Sequence, residues 1–360
     1  MKNSKLYIDF HVIQTVPPSC VNRDDTGSPK TAIYGGVTRA RVSSQSWKKA
    51  VRDSFKETLD ESELGIRTKK IVEMVATEIT KIDTERKKEE AEILAEKVIN
   101  LCGVKTKDKE AGALFFMSKK QARNLAELIV ENQDATKKEA QAMLNKGHGI
   151  DVALFGRMVA DDPVLNADAS AQVAHAISTH RVENEYDFYT AADDMASEDN
   201  AGAGMMGTVE FNSSTLYRYA TVAIHGLLKE LGNDVEITAK AIAAFANAFL
   251  TSMPTGMQNS FANRTLPDFA LVTIRKDQPI NMIGAFEKPV QNKGEGFVKK
   301  SVDALSVYIQ NAYSDFASEP VQTWIIGKSD EIHGERIKLS ELESLLKEPV
   351  EQFCNSSLSE

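Results

Sequence analysis

The sequence predicts an α+β fold, and three observations lead there. Strand-like and helix-like segments mix along the chain without the steady βαβ alternation of a doubly wound sheet. From about Asp60 to Lys146 charged residues are dense, Pro is absent and the apolar residues recur at helical spacing. Val209–Ile224 (VEFNSSTLYRYATVAI) is the clearest strand pattern in the chain. The order is strand, helix, helical insertion, strand, strand, buried helix, strand, helix. It fits an antiparallel ferredoxin-like core of β-α-β-β-α-β order with two large interruptions.

Lys5–Val16 alternates polar and apolar residues and reads as a half-buried strand, ended by Pro17-Pro18. After a loop with Gly27, Pro29 and Gly35-Gly36, Ser43-Ser44 offers an N-cap for a helix from about Gln45 to Leu59. Trp47, Ala50, Val51 and Phe55 form its apolar stripe, opposite Lys48, Lys49 and Arg52. In the insertion Ile71, Val72, Val75, Ile79 and Ile82 mark one helix. Ser118 with Gln121 and Thr136 with Glu139 form capping boxes for two more, and Gly147 is a stop. Gly149–Met158 is short and apolar, Ala171–Val182 is apolar around His175 and His180, and Tyr186–Thr190 is aromatic. Thr238 caps a helix to Leu250 that is apolar nearly all round and therefore buried. Phe269–Arg275 is a strand, Val298–Ala317 a helix, and Leu339–Lys347 a last short helix before a polar tail, Glu348–Glu360.

Composition narrows the class. With 42% hydrophobic and 26% charged residues among 360, and only 20 Gly and 10 Pro, the chain is neither collagenous nor disordered. No apolar run is long enough to span a bilayer, so no membrane partner is expected. Met1-Lys2-Asn3-Ser4 leads straight into a strand, so no secretory leader is expected, and three isolated cysteines, Cys20, Cys102 and Cys354, fit a reducing, cytoplasmic setting. The formal charge of −9 argues on average against nucleic acid. Between Arg23 and Arg52, however, seven basic residues face two acidic ones, a net charge of +5 over thirty residues.

No catalytic or metal-ligating constellation stands out, and no cofactor is expected. There is no P-loop, no G-x-S-x-G and no H-E-x-x-H. Gly202–Gly207 matches G-x-G-x-x-G, but an acidic loop precedes it and a strand follows, so it lacks the strand-to-helix setting that dinucleotide binding needs. It reads either as a plain hairpin tip or as an apolar wedge carrying Met205 and Met206. His175 and His180, five apart, fall on opposite faces of a strand and read as polar residues within it. The basic run offers more. Arg39 and Arg41 alternate onto one side, Ser43-Ser44-Gln45 sits at a helix N-terminus, and Lys48 and Arg52 continue the line one turn apart. Such a strip suits a nucleic-acid backbone better than a compact anion.

At this segment the sequence resembles a known family. Ser19-Cys20-Val21-Asn22-Arg23-Asp24-Asp25, Tyr34-Gly35-Gly36 and Arg39-x-Arg41-x-Ser43-Ser44-Gln45-Ser46 are similar to the CasC-type backbone subunits of type I-E CRISPR Cascade, the "Cas seven" branch of the RAMP proteins. The likeness continues through Gly149–Met158, Ala174-His175-Ala176-Ile177, Thr179-His180, Asp187–Thr190, Gly207-Thr208, Glu210-Phe211 and Tyr217-Arg218-Tyr219. It weakens in the insertion and after about Lys328.

The resemblance implies an RRM-like palm (1–59, 171–189 and 213–340), a helical fingers insertion (60–170), a β-hairpin thumb (190–212) and a C-terminal helix and tail (341–360). It implies a non-catalytic subunit that polymerises with further copies of itself along CRISPR RNA, beside other Cascade subunits, and kinks the guide so that its bases pair with target DNA. The residues expected to bind RNA are Arg23, Lys30, Arg39, Arg41, Ser43, Gln45, Lys48, Lys49 and Arg52 on the backbone side. Around the displaced base they are Arg157, Met158, Tyr189, Thr190, Met205 and Met206. The acidic stem Asp193, Asp194, Glu198 and Asp199 is expected to face protein. Two rival readings are a RAMP-type endoribonuclease that processes precursor RNA and a purely structural homo-oligomer.

Overall fold

The N-terminal strand alternates, but it is buried on both faces rather than half-buried, because helices cover both sides of the sheet: Ile8, Phe10 and Val12 point to one side, and Asp9, His11 and Ile13 to the other. The computed structural model describes residues 4–159, 162–191, 205–329 and 331–359. Among these the chain forms β1 (Tyr7–Ser19), β2 (Thr31–Tyr34), β3 (Val37–Val42) and α1 (Ser44–Thr58). Pro17-Pro18 does not end β1. The strand slips register between Val16 and Ser19 and then resumes, because a proline pair without N–H groups is accommodated as a bulge. Gly35 and Gly36 make the two-residue turn between β2 and β3 with φ of +58° and +76°. A Cβ on Gly35 would lie 1.7 Å from the Glu287 carbonyl oxygen.

The insertion runs β4 (Gly65–Thr68), α2 (Ile71–Ile82), α3 (Lys88–Cys102), β5 (Thr106–Lys107), β6 (Glu110–Ala111), β7 (Phe115–Ser118), α4 (Lys119–Glu131), α5 (Lys137–Leu144) and α6 (Ile150–Phe155). It has its own core of Val75, Ile79, Val98, Ile99, Leu125 and Ile129. Both capping boxes form as the sequence indicates. The stretch is not purely helical, since β4 pairs with β7 and β5 with β6. Phe115–Met117 is a buried run too short for a helix before the Ser118 cap, so it satisfies its backbone in a ladder.

The remainder is β8 (Ala171–Val173), β9 (Ala176–Ser178), β10 (Glu185–Ala191), β11 (Met205–Ala223), α7 (Ile224–Glu230), α8 (Val235–Thr251), α9 (Gln258–Phe261), β12 (Phe269–Arg275), α10 (Val298–Asp315), β13 (Gln322–Gly327), β14 (Glu335–Arg336) and α11 (Leu339–Ser359). The large sheet has the order β14-β13-β12-β1-β11-β9-β3-β2, with β8 and β10 also on β11. One face packs against α1, α8 and α11, and the other against α10 and the turn at Met282–Phe286. A mixed α+β architecture is thus observed, with eleven α-helices among the described residues.

Three local expectations are corrected. Asp234, not Thr238, caps α8: its side chain accepts from Ile237 N–H, while Thr238 lies inside the first turn. The polar tail is helical, and α11 continues through Pro349. Leu342, Leu346, Val350 and Cys354 are buried a turn apart in the same core as α8, and that burial outweighs the one hydrogen bond proline removes. The hairpin pairs Glu185–Ala191 with Met205–Phe211 and so starts before residue 190. Its expected acidic stem and Gly202-Ala203-Gly204 lie outside the described residues.

Candidate nucleic-acid interface

The start of α1 is assembled from short-range chemistry. Ser43 Oγ accepts from Ser46 N–H at 3.3 Å, and Ser43 N–H donates to Asn22 Oδ1 at 2.9 Å. The Ser43 hydroxyl, predicted to touch phosphate, therefore serves as the helix cap, leaving the Ser44 and Gln45 amides as the open donors of the first turn. Gln45 itself is exposed. Asn22 also accepts Lys30 N–H on its backbone carbonyl at 2.8 Å, which pins the preceding loop to the helix. Asp24 is consumed by its own turn: its carboxylate takes Thr26 Oγ1, Thr26 N–H and Ser28 N–H, and these bonds hold its pKa below the usual range.

Above this base Lys30, Arg41 and Lys48 gather around the exposed His175. Arg41 donates to the Thr31 carbonyl at 3.0 Å through Nε and to His175 Nδ1 at 3.3 Å through Nη1. Lys30, Arg41 and Lys48 belong to no ion pair among the described residues. Three cations without an ion-pair partner among the described residues thus act on one imidazole of an acidic protein. Trp47 anchors α1 beneath it. The Arg218 guanidinium lies 3.7 Å from its ring centroid and also donates to Gln14 and to the Phe249 carbonyl. Arg218 is fully buried, and that burial brings its pKa down to about 9.

The remaining predicted cations are placed differently. Arg39 shares the strand side of Arg41 but is 0% exposed, because the Phe286–Glu287 backbone closes over it. Its guanidinium donates to the carbonyls of Tyr34, Ser178, Phe286 and Glu287, and it is a clamp inside the fold rather than an RNA contact. Arg157 is likewise buried and corrected: it donates to the Leu165 and Phe116 carbonyls and to Asn145 Oδ1, over the Phe115 ring. Arg52 faces Asp151 at 3.5 Å and lies 4.5 Å over Phe116, while Asp151 accepts Gly65 N–H at 2.7 Å. It joins α1 to the insertion. Burial raises the Asp151 pKa, and Gly65 and Arg52 lower it. Lys49 pairs with Asp53 at 2.5 Å.

Arg23 and Lys49 line a groove of about 680 Å³ shared with Arg264. Asp24, Asp25, Asp53 and Glu57 line it too, so its carboxylates outnumber its cations and it does not suit a polyanion.

Apart from Arg157, the predicted base-packing residues are solvent-facing. Met158 is 87% exposed, and on the hairpin Tyr186, Phe188, Tyr189, Met205 and Met206 are all exposed. Tyr189 opposes Gly207, and a Cβ there would meet the Tyr189 ring at 2.5 Å, so the missing side chain leaves the ring its seat. Thr190 opposes Met206 and Ala191 opposes Met205, which sends the two methionines to opposite faces. The hairpin root is fixed by Asn212 donating to Asn184, Asn184 to Glu210, and Phe211 packing on Phe261.

Local pattern missed two participants. His175 stands between β8 and β9, not within a strand, and neighbours Arg41 only because β3 pairs with β9. Asn22 is legible only as a polar residue in a loop. His180 also lies outside the strand, just after β9, and is buried, with Nε2 accepting Thr215 N–H at 3.0 Å. Among the described residues no three His, Cys, Asp or Glu side chains group as a metal set, and no helix is long and apolar enough to cross a membrane.

The chain is similar to a solved chain of a "CRISPR RNA-guided surveillance complex, pre-nicking", at 31% identity and a TM-score of 0.81, covering 96% of this chain and 99% of that one. A second, from a "CRISPR RNA-guided surveillance complex", matches at 27% identity and a TM-score of 0.63, covering 95% and 99%. No curated protein matches the chain. The model of one protein family, described as CT1975-like protein, spans residues 8–352, essentially the whole fold described above, and the chain belongs to that family.

Proposed function

We propose that this chain is a guide-RNA-binding backbone subunit of a CRISPR surveillance complex, of the type I-E kind, and that it acts without catalysis. The observation that carries the reading is the convergence of Lys30, Arg41 and Lys48, unpaired by any described carboxylate, beside the open N-terminus of α1. Cations and helix amides hold phosphates whatever the base sequence, as a scaffold for variable guides requires. The two similar structures are RNA-guided complexes, which supports RNA as the ligand. The order β12-β1-β11-β9, with α1 and α8 on one face, suits an RRM-like palm. The insertion then acts as fingers and the exposed hairpin as a thumb. Copies follow one another along the guide with other subunits at its ends, and each apolar tip kinks the RNA while the remaining bases stay free for target DNA.

The test is Lys30→Glu combined with Lys48→Glu, read by fluorescence anisotropy with an oligouridine. Replacing these two cations should weaken binding at least about tenfold and lower the salt slope by roughly 0.7 for each phosphate no longer neutralised, with an unchanged circular dichroism melt. A well-folded double variant that binds as tightly as wild type would sink the reading. Arg52→Glu is unsuitable, since it would set an acid against the buried Asp151.

One observation favours a second reading, a metal-independent ribonuclease: an exposed imidazole lies among three cations, the equipment for acid–base attack on a phosphodiester. Saturable cleavage of repeat-containing precursor RNA, abolished by His175→Ala, would establish it over the scaffold.

A further inference from the structure

His175 carries information in the direction of its hydrogen bond. A guanidinium has no acceptor, so the 3.3 Å contact from Arg41 Nη1 makes His175 Nδ1 the acceptor and leaves the ring proton on Nε2. In the free protein this imidazole is neutral and occupies the place of an anion in front of Arg41. Among the described residues the charged groups that act on it are all cations: Arg41 on β3, Lys30 in the loop before β2 and Lys48 on α1. Partial burial and then those three charges hold its pKa below the usual histidine value. The ring is exposed and stands between two short strands, so a ligand can reach it.

We propose that His175 is a proton-accepting member of the RNA grip. A phosphate oxygen entering between Arg41 and His175 takes over the guanidinium N–H, Nδ1 is released, and the ring binds a proton from solvent at Nδ1, keeps it, and donates a charge-assisted hydrogen bond through it to the same phosphate. RNA binding is then coupled to proton uptake at one side chain. The inference rests on the RNA-binding reading above and adds a residue and a pH dependence to it.

The sign follows from linkage. The imidazole pKa is raised in the complex relative to the free protein, so the extra affinity is fully present below the free value and is lost as pH rises through the bound one. An upward move of about one unit corresponds to tenfold in affinity.

The experiment measures oligouridine binding by anisotropy, at fixed ionic strength, for wild type and His175→Gln between about pH 6 and about pH 8, the range histidine spans. Wild type should bind about three- to tenfold tighter at the acid end. His175→Gln should match it at the alkaline end and lose the gain. The imidazole resonance missing from the His175→Gln carbon–proton spectrum should titrate at higher pH once oligouridine is added. Parallel pH curves for the two proteins, or an unmoved resonance, would overturn the inference and leave the RNA-binding reading intact. Wild type that binds no oligouridine at any pH would take down both.

Discussion

Two groups of cations in this molecule share a chemistry and do opposite things. Lys30, Arg41 and Lys48 sit at the mouth of the β3–α1 corner with no described carboxylate to answer them. Arg39, Arg157, Arg218 and Arg275 lie inside, each held by carbonyls, amides or aromatic faces, and Arg275 also by the Asp277 carboxylate at 2.7 Å. Arg39 and Arg41 make the contrast sharpest, since only Ala40 separates them and both side chains leave the same side of the strand. What differs is the covering supplied from far along the chain: Phe286–Glu287 encloses Arg39, whereas Arg41 is left partly open beside the exposed His175. A basic run in a sequence therefore counts charges without saying which are available. Availability is decided by long-range packing.

The largest expected effect comes from breaking the interior group. Arg39→Ala would strand the buried Tyr34, Ser178 and Phe286 carbonyls, and the cost should be about 3 kcal/mol or more in urea unfolding. The fraction that remains folded should bind RNA with unchanged affinity. An Arg39→Ala protein of native stability and weakened RNA binding would put Arg39 back on the surface strip.

Next in size is a pH effect beneath α10. Tyr219 O–H donates to Asp9 at 3.1 Å and Ile280 N–H at 2.9 Å, yet burial dominates and pushes the Asp9 carboxyl up to about 6. Its folded value is raised, so its contribution to stability is full below the unfolded value of 3.8 and is lost as pH rises through 6. Asp9→Asn removes that loss. The difference in unfolding free energy between variant and wild type should move by about 1.4 kcal/mol per pH unit between about pH 4 and 6. A constant difference across a urea series at those pH values would show that Asp9 is ionised throughout. His11 works the other way: burial brings it down to about 3, so its contribution fades as pH falls from 6.5 toward 3.

The smallest effect separates a paired surface cation from the open ones. Lys49 bonds Asp53 one turn along an exposed helix face, and Lys49→Ala should cost under about 0.5 kcal/mol. RNA affinity should stay within about twofold of wild type, against the roughly tenfold weakening expected when a well-placed charge-assisted hydrogen bond to phosphate is removed. A larger drop in affinity would extend the strip to Lys49.

Where structure is fixed by neighbours in sequence, the sequence is enough. Ser118 with Gln121, Thr136 with Glu139, the apolar stripe of α1 and the whole of β12 all stand where the pattern puts them. Where the deciding neighbour is distant, it is not. Pro349 looks like the end of a helix because the stripe that overrides it matters only once α8 is packed alongside. His175 looks like a polar residue within a strand because nothing near it in sequence announces that β3 will lie beside β9. The overall α+β class is legible, and so is the basic run. The sorting of that run into open and enclosed members is not.

β11 leaves the sheet without interruption. Residues Ser214–Ala223 pair with β1, and the same strand goes on from Phe211 to Met205 against β10. At roughly 3.3 Å per residue the outer portion extends about 23 Å past Asn212. The molecule thereby owns a yardstick whose zero mark is the β1 register. Lengthening both of its rails by two residues would carry the methionine pair outward by about 7 Å with the same side forward, whereas one residue would exchange Met205 and Met206. Any spacing this arm dictates between its own body and whatever it touches is graded in whole dipeptides.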